Sequence, residues 1–205
     1  MDVLDLWLMR HGETDWNRER RIQGQTDVPL NARGIAQAKR LAQRFSIRRF
    51  DAVYTSDSER AHHTAKLTLP GCSIHLDRRL REIHFGTLEG KTRAELSEEE
   101  RRAYGAYRKG VADSRLPHGE SQRDVRSRVD AWLQTLPTRG QVAAFTHGGT
   151  IRALVLSVLN ASQSEHWHLV FSNTGVTRLQ LEPGRTLVRT LNDTAHLEEL
   201  GEHRV

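Results

Sequence analysis

Arg10-His11-Gly12-Glu13-Thr14 follows directly on an apolar run from Val3 to Met9, and the reading of this junction decides the fold. The run is short, apolar and bounded by polar turn residues, so it reads as a buried strand. A strand that ends in arginine, histidine and glycine carries two functional side chains to the carboxyl edge of a sheet. In open α/β folds that edge is where ligands bind. Arg10 offers a planar fork of donors that matches the oxygens of a phosphate. His11 is a side chain able to act as a neutral nucleophile near pH 7. Gly12 is expected to remove a side chain that would keep a ligand away from the backbone.

The same pattern recurs near the other end of the chain. Val142–Thr146 reads as a strand that ends at His147-Gly148-Gly149-Thr150 and runs into an apolar helix, Ile151 to Leu159. A single histidine at such a place is usually a core residue. Two of them, each closing a strand and each followed by glycine, point to two imidazoles at one sheet edge.

Between these junctions, strands and helices alternate. The polar stretch from Asp15 to Leu30 reads as a loop rich in hydrogen-bonding side chains, suited to folding over an anion. Asn31 is a helix cap ahead of Ile35, Ala38, Leu41, Ala42 and Phe45, which recur at helical spacing. Ala52–Thr55 is a second strand, and Ser56-Asp57-Ser58 opens a helix to about Leu69 with Arg60 in its first turn. A cation there opposes the helix dipole unless an anion shares that end. Ser73–Leu76 is a third strand, and Leu80–Gly90 a structured loop. Thr92 to about Ala112 is helical but strongly charged and interrupts the alternation, so it reads as an inserted cap. Ser121 with Asp124 makes a capping box for a helix that turns Val125, Val129, Trp132, Leu133 and Leu136 inward. Strands near Val176–Leu181 and Leu187–Leu191 look like sheet completion.

Composition narrows the classes. The chain has 205 residues, enough for one domain with an insertion. The net charge is +5, which raises nucleic-acid binding. Against that, the arginines are scattered beside Asp and Glu, as in Glu98-Glu99-Glu100-Arg101-Arg102, with no groove-reading motif. Cys72 is the one cysteine, so neither a disulfide framework nor a cysteine metal cluster is available. Asp2 and Asp5 stand where a signal peptide needs basic and apolar residues. No apolar run nears the ~20 residues of a membrane span. The expectation is a soluble, cytoplasmic protein with neither nucleic acid nor membrane as partner; a homodimer stays open.

Leu8-Met9-Arg10-His11-Gly12-Glu13-Thr14-Asp15-Trp16-Asn17 resembles the signature of the histidine phosphatase superfamily, the phosphoglycerate-mutase-like proteins. Gln23-Gly24 and Pro29-Leu30 fall where that family has them. Thr55–Ala61 is similar to its second arginine motif, Leu80-Arg81-Glu82 to its acid motif, and Thr146–Gly149 to its second-histidine motif. Four motifs in the right order extend the resemblance over nearly the whole chain.

The resemblance implies a single domain, residues 1–205. Its fold would be a three-layer α/β/α sandwich with a mostly parallel central sheet and a small helical cap at about 87–120. It also implies phosphoryl transfer through a phosphohistidine on a small phosphorylated metabolite, with no metal and no cofactor. Arg10, Arg60 and His147 would hold the phosphoryl oxygens, and His11 would attack the phosphorus in line. Glu82, protonated in a partly dry and anion-rich setting, would serve as the acid and then as the base for water. Asn17, Gln23, Gly24, Thr14 and Gly148 would complete the phosphate and substrate site.

Within the family the sequence resembles α-ribazole phosphatases and broad-specificity phosphatases more than true mutases. Mutases carry Arg and Tyr where Ile83 and Phe85 stand, and usually Asn in place of Gly149. A bisphosphoglycerate-dependent mutase is the alternative, with Arg93, Arg101 or Arg102 of the cap as its second anchor. His62 and the cap arginines are further candidates for substrate choice.

Overall fold

The computed structural model describes residues 2–110, 113–161 and 169–200. Its frame is a six-stranded sheet in the order β3-β2-β4-β1-β5-β6. The strands are β1 (Leu4–Arg10), β2 (Ala52–Thr55), β3 (His75–Leu76), β4 (Gly140–Thr146), β5 (Val176–Glu182) and β6 (Arg185–Asp193). β1, β4, β2 and β3 run parallel, while β5 and β6 add an antiparallel edge.

The two-residue side-chain period of the strands builds the layers. In β1, Leu4, Leu6 and Leu8 point to one face, where they join Val142 and Ala144 of β4. Helices α5 (Gln122–Leu133) and α6 (Gly148–Val158) cover that face with Val125, Val129, Trp132, Ile151 and Leu154. Trp7 and Met9 point the other way, with Ala143, Phe145 and Val53. Helices α2 (Ala32–Arg44) and α3 (Glu59–Thr68) close that side with Leu41 and Ala65. Strands buried on both faces read as continuous apolar runs, which is how β1 and β4 read. The fold is therefore the expected α/β/α sandwich.

Several local expectations are refined. Within the stretch read as a loop, α1 (Asp15–Arg18) forms because Thr14 and Asn17 make a reciprocal capping box. The charged helix α4 is Glu98–Arg108, opened by a capping box of Ser97 and Glu100; residues 111 and 112 at its expected end lie outside the described residues. The third strand shrinks to His75 and Leu76, an exposed edge pair with nothing apolar to cover. Helix α3 starts at Glu59 without a side-chain cap from Ser58. Instead both carboxylate oxygens of Asp27 accept from the Glu59 N–H, at 3.0 and 3.1 Å. The anion at this helix end is thus the protein's own. Among the described residues no helix is long and apolar enough to cross a membrane.

Candidate active site

Parallel pairing of β1 with β4 sets Arg10 opposite Thr146, so the next residue on each strand leaves the sheet at the same point. The His11 N–H donates to the Thr146 carbonyl at 2.9 Å, and the rings of His11 and His147 stand 5.1 Å apart. Gly12 has a different reason from the expected one. A Cβ there would fall 2.5 Å from the Gly34 carbonyl oxygen, so the glycine lets α2 approach the loop that carries His11, not a ligand. The Gly12 N–H then donates to Thr64 Oγ1 on α3 at 3.0 Å, which ties the loop down from a second side.

His11 is buried, and its two ring nitrogens are in different situations. Nδ1 lies 2.7 Å from the carbonyl oxygen of Gly12, an acceptor, so Nδ1 carries the proton. Nε2 carries the lone pair and accepts a hydrogen bond from the Nε–H of Arg60 at 3.3 Å. Burial first, then the guanidinium groups of Arg60 and Arg10, hold the imidazole well below its usual pKa. Near neutral pH, His11 is an unprotonated base whose lone pair lies on Nε2.

Arg60 is fully buried on the first turn of α3. Its Nη1 and Nη2 donate to the carbonyls of Thr26 and Gly24 at 2.9 and 2.6 Å. The loop that holds those carbonyls is pinned by Glu89, which accepts from the N–H groups of Gln25 and Thr26 at 3.0 and 2.8 Å. Arg10 donates from Nη1 to the Phe171 carbonyl at 2.7 Å. Burial pulls its pKa down to about 10, partly offset by Glu82. Both arginines stay cationic at pH 7. Arg10 Nε and His147 Nδ1 are buried with no hydrogen-bond partner, while His147 Nε2 meets Ser58 Oγ at 3.2 Å. Unpaired buried donors and acceptors are costly.

Glu82 is held by its backbone and by its carboxylate. Its carbonyl accepts from Gln25 Nε2 and Arg128 Nη2, each at 3.1 Å. Its carboxylate accepts from the N–H groups of Ile83 at 3.0 Å and Gly149 at 3.1 Å. Gly149 has to be glycine for this: a Cβ would lie 2.4 Å from Glu82 Oε1 and 2.5 Å from Ile83 Cδ1.

These groups line a cleft of about 270 Å³. Of the residues named from sequence, Arg10, His11, Asn17, Gln23, Gly24, Arg60, Glu82 and Gly148 border it. Thr14 does not border it: fully buried, its hydroxyl bonds Asn17 and Gln23 from behind. His147 is also fully buried, against His11. None of Arg93, Arg101, Arg102 and His62 borders the cleft. Arg93 stacks over Tyr104 at 5.9 Å, and Arg101 donates from Nε to the Leu96 carbonyl at 2.9 Å.

Sequence reading missed Arg152, Arg21, Tyr104 and Phe171, all of which border the cleft. Arg152 had a signal, being the one charged residue in the apolar helix α6. Its Nε donates to the Leu169 carbonyl at 3.0 Å. Tyr104 and Phe171 had none, because each reads as an ordinary core aromatic.

Comparison with known proteins agrees with this geometry. The sequence profile described as Histidine phosphatase superfamily (branch 1) matches residues 6–194. The protein called "Probable phosphoglycerate mutase GpmB" of Escherichia coli O1:K1 / APEC is 35% identical over 206 residues, covering 96% of each chain. The phosphoserine phosphatase of Entamoeba histolytica, solved with 3-phosphoglyceric acid, superposes with a TM-score of 0.85 at 31% identity, covering 95% of this chain and 99% of that one. The α-ribazole phosphatase of Shigella flexneri gives 0.82 at 28% identity, covering 93% and 97%. With paired strand-end histidines, two arginines and an acid at one sheet edge, and a profile that spans nearly all of its length, the chain belongs to the histidine phosphatase superfamily, branch 1.

Proposed function

We propose that this protein is a metal-independent phosphatase that hydrolyses phosphomonoesters of small metabolites through a phosphohistidine on His11. The observation that carries the proposal is the state of His11. Its proton is tied on Nδ1 to the Gly12 carbonyl, Nε2 holds its lone pair against the buried Arg60 guanidinium, and the residue borders the cleft.

Phosphoryl transfer asks for positioning and for neutralisation of charge on the equatorial oxygens. Arg10, Arg60, His147, the amide of Asn17 and Gln23 supply that setting. The N–P bond forms at Nε2 as the P–O bond to the leaving group breaks. Glu82 gives the leaving oxygen a proton. A phosphate monoester loses its second proton near pH 6, so that proton can enter with the substrate. Water then attacks the phosphohistidine while Glu82 takes its proton, releasing inorganic phosphate and restoring His11. Among the described residues no group of three or more His, Cys, Asp or Glu is arranged to hold a metal ion, and the cationic side chains take the part a metal would play.

The 35% identical relative called "Probable phosphoglycerate mutase GpmB" keeps mutase chemistry as a second reading. The apolar side chains of Ile83 and Phe85 at the cleft, and the lack of room for any side chain at 149, favour hydrolysis. One experiment separates the readings. The enzyme receives a panel of phosphorylated metabolites, and 3-phosphoglycerate with and without 2,3-bisphosphoglycerate, while free phosphate and 2-phosphoglycerate are followed. Release of phosphate, with acid-labile label on His11 and none in His11→Ala, is expected. Rapid bisphosphoglycerate-dependent appearance of 2-phosphoglycerate with little free phosphate would overturn it.

A further inference from the structure

The segment before β5 reaches back to His11. Asn173 Nδ2 lies 2.9 Å from the carbonyl oxygen of His11 and 3.2 Å from Asn17 Oδ1. The next residue, Thr174, is fully buried and donates its N–H to the carbonyls of Arg10 at 3.0 Å and His11 at 3.3 Å. Thr174 does so at φ 55, a costly conformation for a β-branched residue and one that persists only where the surroundings enforce it. Its hydroxyl donates to the Asn173 carbonyl at 2.8 Å, which holds the turn closed.

The polarity of the two amides is dictated by their neighbours, because each end atom has a partner of one kind only. The His11 carbonyl can only accept, so the Asn173 atom facing it is the NH₂ nitrogen. The Thr14 N–H can only donate, and it lies 3.2 Å from the Asn17 side chain, so that Asn17 atom is the oxygen. Asn173 supplies a second obligatory donor to the same oxygen, and the Thr14 hydroxyl, also at 3.2 Å, a third. With Oδ1 thus occupied, the two N–H donors of Asn17 are left for the cleft that Asn17 borders.

We propose that Asn173 is a positioning residue: one amide group holds the His11 carbonyl and orients Asn17 so that its NH₂, not its carbonyl, meets the phosphate. It couples the nucleophile to a phosphate donor while touching neither substrate nor reacting atoms. The inference takes from the proposed function only that phosphate binds in this cleft.

The test is a double-mutant cycle of Asn173→Ala and Asn17→Ala, read by calorimetric binding of inorganic phosphate and by kcat/KM for p-nitrophenyl phosphate. Circular dichroism and thermal midpoints verify that each variant is folded. Each single variant is expected to weaken phosphate binding about tenfold, the worth of one hydrogen bond to a charged group. The double variant should be no more than about twofold weaker than Asn17→Ala, since Asn173 acts through Asn17. Losses that multiply would overturn the proposal, as would unchanged phosphate affinity in folded Asn173→Ala. If that variant does not fold, Asn173→Ser, which retains a hydroxyl donor, enters the cycle under the same criteria. Failure of the phosphohistidine mechanism would show as absent label on His11, and the phosphate-binding cycle would still decide the role of Asn173.

Discussion

Replacing Gly149 with alanine perturbs Glu82, the acid of the proposed mechanism, without touching its chemistry. The added Cβ would lie 2.4 Å from Glu82 Oε1 and 2.5 Å from Ile83 Cδ1, where ordinary contact begins at 3.4 Å. Both the carboxylate and the isoleucine tip have to retreat by about 1 Å, and the carboxylate is the less confined of the two because Ile83 is buried and Glu82 is only partly so. A displacement of about 1 Å in a reacting group costs roughly 10²-fold, within the ~10²–10⁴-fold that a positioned acid contributes. Gly149 lies in the first turn of α6, and a left-handed φ is not among its features. Alanine is the better helix former, so global stability should change little. The informative assay is kcat/KM, which reports the phosphoryl-transfer step, for an alkyl phosphate and for p-nitrophenyl phosphate. We expect a loss near 10²-fold for the alkyl ester and only severalfold for the aryl ester, whose leaving group needs little help from an acid. Equal losses on both would refute the view that Gly149 exists to make room for Glu82.

Glu82→Gln should show the same leaving-group asymmetry more strongly, about 10²–10⁴-fold on alkyl esters, and equal losses on both ester types would remove Glu82 from the acid role. Exhaustive chelation should leave turnover intact and vanadate should inhibit it; an enzyme that stays inactive until magnesium returns would refute the cationic-pocket mechanism. Stability should fall as pH drops from 6.5 towards 5. His11 and His147 are held well below the usual histidine pKa and His196 is lowered to about 4, all chiefly by burial. The unfolded chain therefore binds more protons than the folded one in that window, and protonation favours unfolding. For His11 and His147 the slope can reach about 1.4 kcal/mol per pH unit each. Urea midpoints at pH 7.5, 6.5 and 5.5 measure it, and a flat or rising profile towards acid would contradict the assignment of buried neutral histidines.

What the sequence determined by itself follows from the two strand ends. Each apolar run is buried on both faces, so its length and its polar stop set where the strand leaves the sheet. The motifs at Arg10-His11 and His147-Gly148 thereby announced one shared edge. Arg60 and Glu82 were named through the resemblance of Thr55–Ala61 and Leu80-Arg81-Glu82 to family motifs, not through any local pattern of residue types. The helix start at Ser121 and Asp124 was legible as a capping box, whereas the boxes of Thr14 with Asn17 and of Ser97 with Glu100 were not read from sequence.

What only the tertiary structure decided is everything that depends on contact between distant segments. The parallel register that brings His11 beside His147 joins residues 136 positions apart in the chain. The cap on α3 comes from Asp27, 32 residues upstream, which no local pattern around Ser58 encodes. Gly12 and Gly149 are glycines because of Gly34 and Glu82, partners that their own neighbourhoods in sequence do not contain. Asn173, ahead of β5 and 162 residues from His11, carried no sequence signal for a contact with that histidine. Sequence periodicity reports which way a side chain faces on its own element. Which group it meets there is settled when the elements pack, because amide polarity, tautomer and the room for a Cβ are properties of pairs.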